Sequence, residues 1–116
     1  MNETRTVEVT LDGEAVSSCR IPARSQFVVA ANLAFKWYDE ILAGTKTVEH
    51  RDATKYWYDR LFKPFVNERG EEDDMPAAFI KFTRGYTKAH MTWTITRIDI
   101  DRANRQYHIH LGKRVD

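Results

Sequence analysis

A lysine, a glutamate and an arginine fall close together in this chain, at Lys46, Glu49 and Arg51. In an open pocket the lysine can bind an anionic group or stabilise a developing oxyanion, and the glutamate can accept or donate a proton. Arg51 would then orient a phosphate or the glutamate itself. If the same groups are buried, Glu49 and Arg51 form a structural ion pair that fixes the backbone and does no chemistry. The residues alone leave both readings open.

Aromatic and basic side chains follow directly. Lys55, Tyr56, Trp57 and Arg60 interleave in a way that can stack a base and hold a phosphate. An amphipathic helix closing one end of a barrel needs the same aromatics, so Trp57 reads first as packing. Further on, Arg84 is a candidate phosphate contact and Tyr86 a candidate stacker, with Gly85 between them allowing a close backbone approach. His108 and His110 would share one face of a strand and make half of a metal site. Nothing nearby supplies further ligands at a recognisable spacing. A polar face opposite Tyr107, Ile109 and Leu111 is therefore the preferred reading, and neither metal nor cofactor is expected. The acidic run Glu71, Glu72, Asp73, Asp74 offers oxygen ligands to a divalent cation, but it reads as a solvated stretch.

Placing these groups takes a helix, a stop and a strand. Trp37 and Ile41, like Tyr38 and Leu42, stand one helical turn apart and predict an apolar stripe, with Lys36, Asp39 and Glu40 in solvent. Gly44 supplies the left-handed residue that ends a helix. Period-two alternation then puts Thr47, Glu49 and Arg51 on one face of a strand, and Val48 and His50 on the other. Upstream, residues 6–11 and 15–21 flank Asp12-Gly13, a favoured hairpin turn, and residues 26–33 read as a buried strand. The hairpin would cover a sheet edge or serve as a dimer contact. Downstream, Asp52 or Thr54 caps a short helix with Tyr58, Leu61 and Phe62 inward, ended by Pro64. Residues 67–75 read as an exposed loop. Strands over 78–83, 90–100 and 106–111 complete an α+β domain.

With 116 residues, 42% hydrophobic and 30% charged, the chain suits one folded domain. It has no apolar run fit to span a bilayer, no leader-like start and a single cysteine, Cys19, so a cytoplasmic protein is expected. A net charge of +1 argues against a strongly basic nucleic-acid binder. Basic residues nevertheless outnumber acidic ones from Lys81 onward, which allows a positive face toward phosphates. There is no glycine-rich phosphate loop, no Gly-x-Ser-x-Gly elbow and no His-Glu-x-x-His.

Gly44, Lys46, Glu49 and Arg51 fit the pattern G-x-K-x-x-E-x-R, which resembles the signature of the ASCH domain family in the PUA-like superfamily. The stretches FIKFTRGYTK (79–88) and YHIHLGKRV (107–115) look like later strands of that family. The resemblance implies an ASCH domain over 26–116 preceded by an N-terminal hairpin extension over 1–25. It also implies a small PUA-like β-barrel with two or three short helices. RNA-related roles come with it: RNA-binding modules, a nuclease-like branch, and a branch that hydrolyses N4-acylated cytidine. In that last branch a threonine nucleophile stands three residues after the signature lysine. Here the position is Glu49, and Thr47 lies elsewhere, so the deacylase activity does not carry over whole.

The expected function is an RNA- or nucleotide-binding module. Its pocket would be formed by Lys46, Glu49 and Arg51 and flanked by Tyr56, Trp57, Arg60 and Arg84. The alternative is a hydrolase, either a metal-assisted ribonuclease or an amidohydrolase of modified nucleosides, with Lys46 as electrophilic stabiliser and Glu49 as general acid or base. A third possibility is an interaction protein whose exposed aromatics meet a protein partner. A monomer or weak dimer, without membrane contact, is expected.

Overall fold

The longest strand organises the sheet. In the computed structural model, which describes residues 3–67 and 69–116, β8 (His90–Asp101) carries partners on both edges. One edge pairs antiparallel with β9 (Gln106–Arg114). The other edge is shared: β7 (Phe79–Arg84) takes the first half antiparallel, and β1 (Arg5–Leu11) takes the second half parallel. Beyond these, β2 (Glu14–Ile21) pairs with β1, β3 (Val28–Leu33) runs parallel to β7, and β4 (Val48–Asp52) runs antiparallel to β9. A separate two-stranded sheet holds β5 (Phe62–Val66) and β6 (Glu72–Pro76). Among the described residues, the helices α1 (Phe35–Leu42) and α2 (Lys55–Leu61) and a 3₁₀ turn at Ala23–Ser25 complete the α+β fold.

The sheet is open. Its hydrogen-bonded path ends on β2, β3 and β4, so the ladders do not join into the expected small β-barrel. The N-terminal hairpin is part of this sheet, covering the edge of β8 that β7 leaves bare. Its turn places Asp12 at φ 51° and Gly13 at φ 87°, the paired left-handed residues of a tight hairpin. Val7, Val9 and Ile21 from the hairpin join Ile80, Phe82, Met91, Ile98 and Ile109 in one core.

Strand β8 does not keep a single period. Register shifts on either side of Ile95 bury Thr94 and Ile95 in succession. The inward set therefore changes parity, from Met91 at one end to Ile98 at the other. Arg97, Asp99 and Asp101 are thereby brought onto the face that opposes the core. Gly112 faces the irregular stretch, where a Cβ would collide with the Thr94 hydroxyl.

Several local expectations are corrected. On α1 the buried pair is Tyr38 and Ile41, while Trp37 and Leu42 stay 44% and 49% exposed. The helix lies across β3 and β7 with a narrow contact, so the apolar stripe is only partly covered. Pro64 does not end α2. The helix stops at Leu61 and the chain passes directly into β5, a two-stranded edge that tolerates proline. The acidic run is a strand rather than a loop: Glu72, Asp73 and Asp74 lie in β6, opposite Val66, Phe65 and Pro64. Tyr58 donates its hydroxyl to Asp74 and ties α2 to this ladder. Thr54 does cap α2, accepting from the Trp57 amide at 3.3 Å. Among the described residues no helix is long and apolar enough to cross a membrane.

Candidate functional site

The turn after α1 delivers the first charged residue. Gly44 adopts φ 81°, and its amide donates to the Ile41 carbonyl at 3.0 Å. The Thr45 and Lys46 amides then both donate to the Glu40 carbonyl, at 3.0 and 3.1 Å. Lys46 is thus held at the mouth of β4 by the last turn of the helix, as a glycine-terminated helix followed by a strand requires. Pairing of β4 with β9 fixes Glu49 opposite Ile109 and Arg51 opposite Tyr107.

These residues line a pocket of about 390 Å³, together with Asn32, Trp37 and His50. Glu49 sits at its base, 6% exposed. Its Oε1 is 3.5 Å from Lys46 Nζ and accepts from the His50 amide at 3.1 Å, and its Oε2 accepts from Arg51 Nη2 at 2.8 Å. Both carboxylate oxygens are therefore engaged. The cluster carries two positive charges and one negative, so a net positive charge faces the pocket. Trp37 stands at the rim with Lys46 Nζ 5.4 Å from its ring centre.

Arg51 also donates through Nη2 to the Asn32 carbonyl at 2.9 Å, and Arg60 donates to the Ala30 carbonyl at 2.6 Å. Both acceptors belong to β3, whose outer edge has no strand partner among the described residues. The two guanidinium groups satisfy the edge carbonyls that a neighbouring strand would otherwise take. Trp57 lies between them, with Arg51 4.8 Å and Arg60 5.3 Å from its ring centre. Arg51 Nε and Arg60 Nε are buried and have no acceptor among the described residues.

The other candidates separate from this group. Tyr56 is 62% exposed, with the Arg60 guanidinium 5.3 Å from its ring centre. Arg84 does not line the pocket. It grips Asp39 of α1 with two hydrogen bonds of 2.9 Å and lies 4.1 Å from the centre of the Phe35 ring. That fork holds the Asp39 carboxyl below the usual carboxylate range. Tyr86 is fully exposed, and Gly85 is approached by Phe35, not by open space for a ligand.

His50 is the residue that sequence reasoning passed over. On the face of β4 opposite Glu49, its Nδ1 lies 2.6 Å from His108 Nδ1 of β9. His108 Nε2 is 3.0 Å from Asp101 Oδ2, and His110 Nε2 is 2.6 Å from Asp99 Oδ2. Thr10 closes the row from β1, donating to Asp99 Oδ1 at 2.6 Å. Partial desolvation against β9 lowers the pKa of the otherwise exposed His50 first, with the positive charge of Lys46 next. Hydrogen bonds from Asn104 and then His108 hold the Asp101 carboxyl down at about 2. For Asp99, burial alone would raise the pKa, but bonds from Thr10 and His110 outweigh it and the net shift is downward. Two histidines in alternation hinted at a polar face on β9. Their acidic and imidazole partners come from β8 and β4, which no local spacing reveals. Among the described residues, no group of three or more His, Cys, Asp or Glu side chains is arranged to hold a metal.

Comparison of the chain with known protein families, curated proteins and solved structures finds no match.

Proposed function

We propose that this protein is a binding module for a nucleotide or a short single-stranded RNA segment, and that it is an ASCH-like member of the PUA-like superfamily. The observation that carries the binding reading is the Glu49 cluster. Its carboxylate is enclosed by Lys46, Arg51 and a backbone amide, so the pocket floor offers fixed positive charge rather than a free base. An anionic phosphate fits that charge. Trp37 at the rim offers a face for a base, since stacking on an aromatic ring tolerates any base. The family relation rests on Lys46, Glu49 and Arg51 converging in one place, as their shared signature implies. A cytoplasmic location goes with this reading.

The test is fluorescence anisotropy of labelled single-stranded RNA and of nucleotides, across a range of salt, with wild type and Lys46→Ala. The expected result is saturable binding that weakens with salt. In Lys46→Ala the affinity should fall by on the order of tenfold, and the salt slope by about 0.7 for one lost phosphate contact. Binding that ignores both salt and Lys46 would remove the proposal. Mass spectrometry of the same mixtures, with and without Mn²⁺, addresses the second reading. Product from wild type that vanishes in Lys46→Ala and Glu49→Gln, in chains whose circular dichroism spectra show the fold intact, would make the protein a hydrolase.

A further inference from the structure

On the sheet face opposite Glu49, His50 of β4 and His108 of β9 form a directly opposed cross-strand pair. Their rings meet edge to face at 83°, with centres 4.7 Å apart, and the two Nδ1 atoms are the points of closest approach at 2.6 Å. From these contacts we propose that His50 Nδ1 and His108 Nδ1 together chelate a borderline divalent cation of the Zn²⁺ or Cu²⁺ class. Solvent, or a ligand of the protein, fills the remaining coordination positions.

The argument starts at Asp101. Its carboxylate accepts from His108 Nε2, so the neutral His108 ring carries its proton there and leaves a lone pair on Nδ1. A carboxylate behind the far nitrogen is the arrangement that orients metal-binding histidines and raises their basicity. That lone pair points at the nitrogen of His50. Without a cation, one proton lies between the two Nδ1 atoms. When a cation takes its place, the neutral His50 ring carries its proton on Nε2, and no net charge leaves the pair.

The geometry needs little adjustment. Metal–nitrogen bonds of about 2.0–2.1 Å at a tetrahedral angle set the two nitrogens roughly 3.3 Å apart. The rings must therefore separate by several tenths of an ångström, and His50 is exposed and free to swing. Two imidazole nitrogens select borderline cations over Mg²⁺ or Ca²⁺, which prefer oxygen. His110 stays outside the pair, since its Nε2 is held by Asp99 and lies 3.1 Å from Arg97 Nη2. The His50–His108 pair lies on the opposite face of β4 from Glu49, although His50 also borders the Lys46 pocket and its amide donates to Glu49.

Isothermal titration of the full chain with Zn²⁺, and separately with Cu²⁺, near neutral pH tests this. Wild type should bind one equivalent. His50→Gln and His108→Gln should each weaken binding by on the order of 100-fold, and Asp101→Asn by about tenfold, in the range seen for outer carboxylates. His90→Gln, far along β8, should change nothing. Electron paramagnetic resonance of the Cu²⁺ form should show two equatorial imidazole nitrogens, a readout that does not depend on any variant folding. Absence of saturable binding by wild type overturns the proposal, as does binding that survives His50→Gln in a chain with an unchanged circular dichroism spectrum.

Discussion

Arg60 of α2 donates to the carbonyl of Ala30 in β3 across 2.6 Å, joining a helix to a sheet edge that no strand among the described residues covers. Arg51 does the same at Asn32, and Trp57 fills the space between the two guanidinium groups. The gap left by an unclosed sheet is thus spanned by side chains. Replacing Arg60 with alanine removes a charged donor and strands a carbonyl. Arg60→Ala should lower stability by about 1–3 kcal/mol in urea unfolding. Arg60→Lys should recover little, because a lysine ammonium cannot both reach the carbonyl and lie flat along Trp57.

Glu49 is the common partner of two cations. Removing its charge leaves Lys46 and Arg51, both mostly buried, facing each other uncompensated. Glu49→Gln should therefore cost about 3–5 kcal/mol. Lys46→Ala should cost much less, since Glu49 keeps Arg51 and the His50 amide. Denaturant midpoints of the two variants order these effects. Equal losses would mean that Glu49 is not the hub of the cluster.

Gly112 is opposed by Thr94, whose hydroxyl also accepts from the Lys113 amide at 3.0 Å. A methyl group at 112 meets that hydroxyl in the irregular stretch between β8 and β9. Gly112→Ala should cost about 1–3 kcal/mol from overpacking. Thr94→Ala in the same chain should relieve the collision while leaving the Lys113 amide unpaired. A double-mutant cycle should consequently show the two losses to be less than additive.

Tyr58 carries a pKa pushed up to about 12, first by burial and then by its bond to Asp74. Its folded value lies above the unfolded value of 10.0, and the anion is the disfavoured form. The unfolded chain therefore releases this proton first as pH rises. Stability from this group is complete below pH 10 and is lost progressively as pH climbs toward 12. Absorbance titration of the phenolates should show a late-titrating fraction from Tyr58 and from Tyr107, which burial also raises, and Tyr58→Phe should remove only the Tyr58 share. In Asp74→Asn the Tyr58 midpoint should fall only part of the way, because burial remains.

What could be read along the chain was local. The Asp12-Gly13 turn, the Thr54 cap, the Gly44 stop and the alternation through Glu49 and Arg51 each depend on a few adjacent residues, and each stands in the structure. The acidic run is solvated as its charge suggests, but not a loop, since a strand on a two-stranded ribbon can keep its carboxylates wet and still pair its backbone. The exposed side of α1 depended on how much of the helix β3 and β7 cover. Other features followed from pairing alone: the change of parity in β8, the guanidinium bridge to β3, and the meeting of His50 with His108. Backbone propensity acts over a few residues and leaves its mark in sequence. Cross-strand register is set by the whole core, so the identity of the residue opposite His50 existed only once β4 had docked on β9.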